Sequence, residues 1–315
     1  MPACYGPMDI RALRYFVAIA EAGSISKAAG HLRIAQPALS RHVHAIEEEL
    51  GTSLLIRTPR GVTMTEGGEQ LYSSALDILR QLDTLPDVIG TRGRVVTGRV
   101  VVGLPTSASA VLATPLLLAA IERYPQVQIH LIESLSGFLR EWVQTGRLDL
   151  AVLYDAQESP TLHVETMLDE DLWLVGAPER LAGLEAGVAF RDLSRFPLVM
   201  PGLPHSLRRL INDMALREGV KLTVAAEADS LHIVKNLAAT GRTFSLLVRS
   251  AIWNELKAGM VTAVPIHSPT IRRSVSLARP LLRGRNRAAE EIARLCLSIA
   301  ADLKRRDLWG NAETG

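Results

Sequence analysis

The spacing of apolar residues changes once along this chain, and this change constrains the fold more than any other feature. From residue 8 to about residue 64, apolar residues recur three and four apart, as on one face of an α-helix. Beyond residue 97, short apolar runs of strand length alternate with helical stretches. Together the two patterns, in a chain of 315 residues, predict a small helical unit followed by a larger α/β unit.

Three short helices and a β-hairpin are predicted in the first unit. The helical spacing spans residues 9–22, 24–32 and 36–50. Pro37 falls in the first turn of the third helix, where its missing N–H costs little. Alternation with a period of two over residues 54–65, around a Thr-Pro-Arg-Gly turn, predicts the hairpin.

A long helix capped by Thr65 is predicted over residues 66–90. Its apolar residues are spaced alternately four and three apart, which is typical of a helix that pairs with another helix. This dimerisation seam consists of Leu71, Ala75, Ile78, Leu82 and Leu85. We favour pairing over packing on its own domain, because the positions between are polar and no neighbouring element is predicted to cover the seam. Pro86 is expected to kink or end the helix near Leu85, at a cost of about 3 kcal/mol if it lies inside the helix.

The region after residue 97 favours mostly parallel, doubly wound sheets, because strands and helices alternate along it. Breaks near residues 160 and 268 divide it into two lobes with a cleft between them. Lobe I comprises residues 97–160 and 269–306, and lobe II comprises residues 161–268.

Polar residues at predicted helix starts in both lobes indicate a ligand site. Free N–H groups and the helix dipole favour an anion at these positions, and open α/β sheets bind ligands at this edge. The candidate ligand-binding residues are Thr106, Ser107, Ser136, His205, Ser206 and Ser230. A small carboxylate would fit such a site. The alternative is that these side chains only cap helices.

Polar residues also cluster in the first two turns of the third helix, as in helices that read duplex DNA with their N-terminal residues. Gln36 can pair with adenine and Arg41 with guanine. Lys27, Arg57 and Arg60 suit phosphates. The candidate DNA-binding residues are Ser26, Lys27, Gln36, Pro37, Ala38, Ser40, Arg41, Arg57 and Arg60. The alternative is a structural three-helix bundle, and the overall net charge of +2 favours neither interpretation.

Composition and motifs exclude several other classes of protein. Cys4 and Cys296 give neither a disulfide framework nor a zinc site, and they favour a reducing compartment. No run of about 18 apolar residues is present and no signal peptide is seen, so we expect a cytoplasmic protein without a membrane partner. The HExxH, GxSxG, GxGxxG and GxxxxGKS/T signatures are absent. We therefore expect no catalytic residues, no metal site and no cofactor.

Four stretches resemble the winged helix-turn-helix of LysR-type transcriptional regulators. They are Leu13–Val17 (LRYFV), Gly23–Ala29 (GSISKAA), Ala35–Arg41 (AQPALSR) and Leu54–Thr65 (LLIRTPRGVTMT). The similarity continues through Gly146–Ala151 (GRLDLA) and so covers nearly the whole chain. Residues 34–40 and 55–63 are similar to the nitrogen assimilation control-like branch of the family.

The resemblance implies a sequence-specific transcriptional regulator rather than an enzyme. It implies a winged helix-turn-helix at residues 8–65, a dimerisation helix at 66–90, and two lobes shaped like a type 2 periplasmic binding protein. The implied partners are operator DNA, further copies of the chain in a dimer or tetramer, and RNA polymerase. A small-molecule effector is implied between the lobes, at positions that match Ser107 and Ser136. Two alternatives stay open: a solute-binding or sensor protein with an accessory helical domain, and an enzyme with a DNA-binding regulatory module.

The chain departs from the family pattern at two places. Ala35 stands where many members have Ser, so the third helix is expected to lack that side-chain cap. Residues 241–249 (GRTFSLLVR) replace the usual Gly-x-Gly…Leu-Pro stretch, which puts a standard pocket wall in lobe II in question.

Overall fold

The computed structural model describes residues 8–59, 61–88, 95–203, 205–281 and 286–310. The chain forms two compact units. A helical unit lies within Met1–Arg94, and an α/β unit is made from Val95–Gln144, Leu148–Leu282 and Asn286–Gly315.

The helical unit has the predicted elements in the predicted order. Its helices and strands are α1 (Ile10–Ala22), α2 (Ile25–Leu32), α3 (Gln36–Leu50), β1 (Leu55–Thr58), β2 (Gly61–Met64) and α4 (Glu66–Val88). Polar caps start the first two helices: the Asp9 carboxylate accepts from the Ala12 N–H at 2.7 Å, and the Ser24 hydroxyl accepts from the Lys27 N–H at 3.4 Å. Each cap satisfies a backbone donor that the helix itself leaves free.

One apolar core holds the three short helices together. Phe16, Leu39, Val43 and Ile46 are fully buried in it, and Leu54 extends it to the start of the hairpin. Burial of a side chain of this size contributes about 1.5–3 kcal/mol. The 3- and 4-residue spacing in the sequence therefore marks the faces that meet in this core.

Close backbone contact fastens the hairpin to the end of α1. The Val62 N–H donates to the Gly23 carbonyl oxygen at 2.9 Å. A Cβ atom at Gly61 would lie 2.5 Å from that same oxygen, and Gly61 also has a φ of +138°. Glycine is the residue that fits this turn without displacing the backbone, because it has no Cβ atom.

The long helix α4 differs from its prediction in two respects. It continues to Val88, two residues beyond Pro86, so of the two expected effects of Pro86 the structure rules out an end at Leu85. The first half of its seam is also covered within the chain, because Leu13 and Val17 of α1 bury Ala75 completely. The expectation that no neighbouring element covers the seam is therefore wrong for this half, and α1 is the element that was overlooked.

The α/β unit alternates strands and helices as predicted. Its elements are β3 (Gly98–Leu104), α5 (Thr106–Arg123), β4 (Val127–Glu133), α6 (Ser136–Gln144), β5 (Leu150–Tyr154), β6 (Leu162–Gly176), α7 (Pro178–Leu181), β7 (Val188–Ala189), β8 (Leu198–Met200), α8 (Ser206–Arg217), β9 (Val224–Glu227), α9 (Leu231–Ala239), β10 (Ser245–Val248), α10 (Trp253–Lys257), β11 (Thr262–His267), β12 (Arg272–Pro280) and α11 (Arg287–Arg305). Short 3-10 helices occupy Phe190–Arg195 and Arg249–Ile252.

The main sheet is mixed rather than mostly parallel, which corrects the prediction. Its strand order is β4-β3-β5-β12-β6-β11-β7, with β10 also on β6. Strands β3, β4 and β5 pair in parallel, whereas β12 is antiparallel to both β5 and β6. The alternation of strands and helices does not reveal these antiparallel pairs, because the strands involved are far apart in the sequence.

The apolar run at residues 172–177 predicts a short strand, but strand β6 is much longer. It runs over 15 residues, pairing with β12 through its first part and with β10 and β11 through its last part. The first part is rich in polar and charged residues and has no continuous apolar run, so the sequence pattern did not mark it as a strand. Separate apolar cores lie on the two parts: one contains Leu112 and Ile292, and the other contains Phe190 and Leu246.

No helix in the described part of the chain is long and apolar enough to cross a membrane.

Candidate nucleic-acid interface and ligand cleft

Helix α3 has one buried face and one polar face. Leu39, Val43 and Ile46 are fully buried, whereas Gln36 and Arg41 are exposed. Pro37 is also exposed, and Ala38 and Ser40 are partly exposed. Ala35 precedes the helix without a side-chain cap, as expected from the sequence. The candidate DNA-binding residues of α3 therefore lie at its N-terminal end, away from the buried face.

Within the described residues, two side-chain hydrogen bonds join α3 to its neighbours on this face. The Ser26 hydroxyl of α2 donates to Gln36 Oε1 at 3.2 Å. Arg57 Nη2, on strand β1, donates to the Ser40 hydroxyl at 3.1 Å. Polar residues of α2, α3 and β1 thus form one surface, which we call the α3 surface. Lys27 is an exposed residue of α2, and Arg60 lies outside the described residues.

The predicted dimerisation residues differ in exposure along α4. Ala75 is buried against α1, and Leu71 is partly buried. Ile78 is 44% exposed and Leu82 is partly buried. The side chain of Leu85 lies outside the described residues. Ile78 is therefore the described seam residue that is most available to a second helix.

In the α/β unit, the predicted residue Ser107 lies at the centre of a polar group that includes Arg273. Ser107 is the second residue of α5, directly after strand β3. Its hydroxyl lies 2.6 Å from the Tyr154 hydroxyl and accepts from Arg273 Nη2 at 3.1 Å. The Arg273 guanidinium also stacks on the Tyr154 ring, 3.5 Å from its centroid.

Arg273 is held by a buried ion pair that no local sequence pattern indicates. Arg273 of β12 and Glu170 of β6 face each other in the strand register, and Arg273 Nε donates to Glu170 Oε1 at 2.7 Å. The Trp309 indole N–H donates to Glu170 Oε2 at 2.9 Å. Arg273 is only 4% exposed and Glu170 only 2%. Both carboxylate oxygens thus have partners, as a buried charge requires. We call these residues, with Ser107 and Tyr154, the Arg273 cluster.

Burial sets the protonation states around this cluster. It raises the pKa of Tyr154 to about 12, so its hydroxyl keeps its proton at neutral pH. Burial, and then the positive charge of Arg273, lower the pKa of His205. Since His205 Nδ1 accepts from the Leu207 N–H at 3.1 Å, a neutral ring carries its proton on Nε2. His205 can therefore donate a hydrogen bond near Arg273.

The other predicted ligand residues stand at helix starts. Thr106 and Ser136 begin α5 and α6, Ser206 begins α8, and Ser230 precedes α9 without a side-chain cap bond. The Ser206 hydroxyl oxygen is buried and has no hydrogen-bond partner among the residues that the structure describes. The structure therefore joins Ser107 directly to the Arg273 cluster and places His205 within its electrostatic reach.

The described cysteine, Cys296, lies in the core of the α/β unit. Burial raises the pKa of its thiol to about 12. The reactive thiolate is therefore almost unpopulated at neutral pH, and Cys296 is a packing residue.

The helical unit consists of three helices and a hairpin wing, and the first turn of its third helix, α3, is polar. These features define a DNA-binding regulator of the winged helix-turn-helix class. Residues 10–69 match the family described as bacterial regulatory helix-turn-helix protein, lysR family. Residues 93–301 match the LysR substrate binding domain. The chain belongs to the LysR family of transcriptional regulators.

Individual proteins show the same relationship. The chain is 34% identical to the HTH-type transcriptional regulator BbuR of Bordetella bronchiseptica, over 84% of this chain and 81% of BbuR. It is 33% identical to the nitrogen assimilation regulatory protein nac of Klebsiella aerogenes, over 96% of this chain and 99% of that protein. This second match supports the nitrogen assimilation control-like resemblance. In fold, a full-length OxyR variant from Pseudomonas aeruginosa matches with a TM-score of 0.74 at 20% identity, covering 93% of this chain and 94% of that one.

Proposed function

We propose that the α3 surface reads an operator sequence in the major groove of duplex DNA. The observation that carries this proposal is the convergence of Ser26, Gln36, Ser40 and Arg57 on one exposed face opposite the apolar core. A helix with a polar N-terminal end can enter the groove, and Gln36 can contact base edges there.

Positive side chains at the edges of the α3 surface would bind phosphates. Lys27 and Arg57 are exposed and belong to different elements, so they can contact different backbone phosphates. Arg41 on α3 can reach guanine. Phosphate contacts fix the position of the protein on the duplex, whereas base contacts select the sequence.

We propose that the chain acts as a homodimer in the cytoplasm and that dimers assemble into tetramers. The exposed Ile78 and the partly buried Leu82 on α4 support a helix–helix contact between copies. Two copies would place two α3 helices on one duplex. RNA polymerase would be a partner at the promoter. The function is regulatory and not enzymatic.

We propose that a small-molecule carboxylate is the effector and that it binds beside the Arg273 cluster. Ser107 and Arg273 supply polar and positive groups, and neutral His205 supplies an N–H donor. The first residues of α5 and α8 add backbone donors at helix N-termini. Ligand binding would favour one arrangement of the two lobes and so shift an equilibrium that exists without ligand.

Selection of duplexes from a randomised library by the full-length chain tests operator recognition. We expect Gln36→Ala to relax discrimination at one base pair by about 1–3 kcal/mol. Arg57→Ala should instead weaken binding to all sequences alike and reduce the salt slope by about 1. Arg217→Ala, which removes an exposed arginine from α8, is the control. If both test variants left sequence preference and salt slope unchanged, α3 would not be the recognition helix.

Thermal unfolding in the presence of small mono- and dicarboxylates tests the effector proposal. A carboxylate at 100 times its dissociation constant stabilises the folded chain by about 2.7 kcal/mol. Ser107→Ala should reduce the shift in Tm, because it removes a hydroxyl from the site. The Ser230→Ala variant removes a hydroxyl at a more exposed helix start and measures how much that hydroxyl contributes to the shift in Tm. A carboxylate that stabilises wild type and Ser107→Ala equally would place the ligand elsewhere.

A further inference from the structure

After α11 the chain turns back and inserts Trp309 into the core of the α/β unit. The Trp309 side chain is packed among apolar residues of this core, and the residue is only 1% exposed. Its backbone N–H donates to the Leu303 carbonyl oxygen at 3.3 Å. A Cβ atom at Gly310 would lie 3.2 Å from the Asp169 carbonyl oxygen, so the backbone also passes close to β6. The segment at Trp309 is therefore fixed against β6.

The indole of Trp309 occupies one oxygen of the Glu170 carboxylate. Its N–H donates to Glu170 Oε2 at 2.9 Å. Arg273 uses the other oxygen, because its Nε donates to Oε1 at 2.7 Å and its Nη2 contacts the same atom. Arginine and carboxylate groups frequently form a fork of two parallel bonds, one to each oxygen. Here Trp309 takes the oxygen that the second bond of such a fork would need.

This arrangement leaves part of the Arg273 guanidinium for other partners. Nη2 donates to the Ser107 hydroxyl at 3.1 Å, and within the described residues Nη1 has no hydrogen-bond partner. If Trp309 did not hold Oε2, the Glu170 carboxylate could rotate to give Nε and Nη2 one oxygen each, and the guanidinium would shift relative to Ser107. The indole N–H opposes this rotation, because a buried carboxylate oxygen requires a donor.

We propose that Trp309 is a positioning residue for effector binding: through Glu170 it holds the Arg273 guanidinium beside Ser107, with Nη1 available to the effector carboxylate. This inference rests on the proposed function, in which a small carboxylate binds beside the Arg273 cluster. It gives the indole N–H a role in ligand affinity that is separate from the role of the indole ring in packing. Trp309 does not need to touch the effector to act in this way.

The experiment measures carboxylate affinity and stability in variants of the full-length chain. Isothermal titration calorimetry uses acetate, propionate, succinate, glutarate and benzoate, and the carboxylate that wild type binds most tightly serves as the probe. Trp309→Phe keeps an apolar ring in the core but removes the N–H donor. We expect it to raise the Kd of this carboxylate about three- to tenfold, the range expected for the loss of one hydrogen bond. Circular dichroism checks that the variant is folded.

Two further variants separate the hydrogen bond from packing. Trp309→His restores a ring N–H through Nε2 but fills less of the core. It should therefore be less stable than Trp309→Phe and yet bind the carboxylate more tightly. Ile292→Val truncates a buried side chain of the same core, so it should lower stability and leave Kd unchanged. Urea unfolding measures the stability of each variant.

The Arg273 Nε–H resonance reports on the guanidinium without any ligand. It is assigned in a ¹⁵N-resolved NMR spectrum by its absence from Arg273→Lys. Because Nε donates to Glu170, the resonance should shift in Trp309→Phe and return towards its wild-type position in Trp309→His. It should stay unchanged in Ile292→Val. An unshifted resonance in Trp309→Phe would overturn the inference.

The outcomes separate this inference from the proposed function. If Trp309→Phe bound the carboxylate as tightly as wild type, or if Kd rose in step with the loss of stability in all the variants, Trp309 would act only in packing and the inference would be overturned. The proposed carboxylate effector would stand in that case. If wild type bound none of these carboxylates, both the proposed effector and the inference would be overturned.

Discussion

Two neighbouring ion pairs between β6 and β12 show how burial changes the effect of an ion pair on stability. Glu170 and Arg273 are almost completely buried, whereas in the adjacent pair the Arg272 side chain is 58% exposed and Asp171 is 21% exposed. An exposed pair is screened by water and contributes little. A buried pair must stay intact, because either charge alone would be stranded in an apolar surrounding. The two pairs form a comparison within one structure.

Removal of one member of each pair should therefore have unequal effects. We expect Glu170→Ala to lower the free energy of unfolding by about 3–5 kcal/mol, because Arg273 loses its counter-charge. Asp171→Ala should cost at most about 1 kcal/mol. Urea unfolding followed by tryptophan fluorescence measures both, since Trp309 contacts Glu170. Equal losses in the two variants would show that burial does not govern these pairs.

Helix α4 shows, at the scale of the element, that one apolar stripe can serve two partners. Its first half packs against α1 through Ala75, while Ile78, almost one turn later, is exposed. Residues three apart lie near the same face, so the stripe passes from the core of its own unit to an uncovered position. The seam is thus partly a structural contact and partly a surface open to a second copy.

Substitutions at these two positions should separate folding from self-association. We expect Ala75→Leu to lower the free energy of unfolding by about 1–3 kcal/mol, because the added methyl groups overpack the contact with α1. Ile78→Ser should leave the circular dichroism spectrum unchanged and weaken the dimer. Sedimentation velocity at matched concentrations measures the dimer, and urea unfolding measures stability. A fully dimeric Ile78→Ser chain would argue that α4 is not the interface.

At the scale of the whole molecule, two recognition helices in one dimer impose a spacing on the operator. Helices that enter successive major grooves on one side of a duplex lie ~34–36 Å apart, or about one helical turn of 10–10.5 base pairs. The proposed dimer contact on α4 would fix this separation. The operator should therefore contain two half-sites in the same rotational phase.

Changes in half-site spacing test this arrangement with DNA alone. Inserting about five base pairs between the half-sites rotates one by half a turn, and we expect it to abolish high-affinity binding. Inserting about ten base pairs restores the rotational phase of the half-sites. The duplex with this insertion should therefore bind more tightly than the duplex with the five-base-pair insertion. Gel-shift titrations with the selected duplex measure the three affinities. Equal affinities would indicate that each copy binds independently.

Sequence patterns located most elements because the information they carry is local. The three short helices and the hairpin lie within a residue or two of their predicted bounds. Helical spacing also identified the polar face of α3, since a helix with one buried side must turn its other side to solvent. The DNA-binding class follows from this local pattern and from the quoted LysR motifs.

Tertiary structure decided which buried faces meet and which polar groups converge. The covering of α4 by α1, the antiparallel pairing of β12 with β6, and the Arg273 cluster all join residues distant in sequence. Ser107 and Arg273 are separated by 166 positions and Glu170 and Trp309 by 139. Periodicity shows that a residue is buried but does not name its partner. The partner depends on which segments, far apart in the sequence, pack together in the tertiary structure. The neighbours of Ser107 can therefore be identified only in the folded molecule.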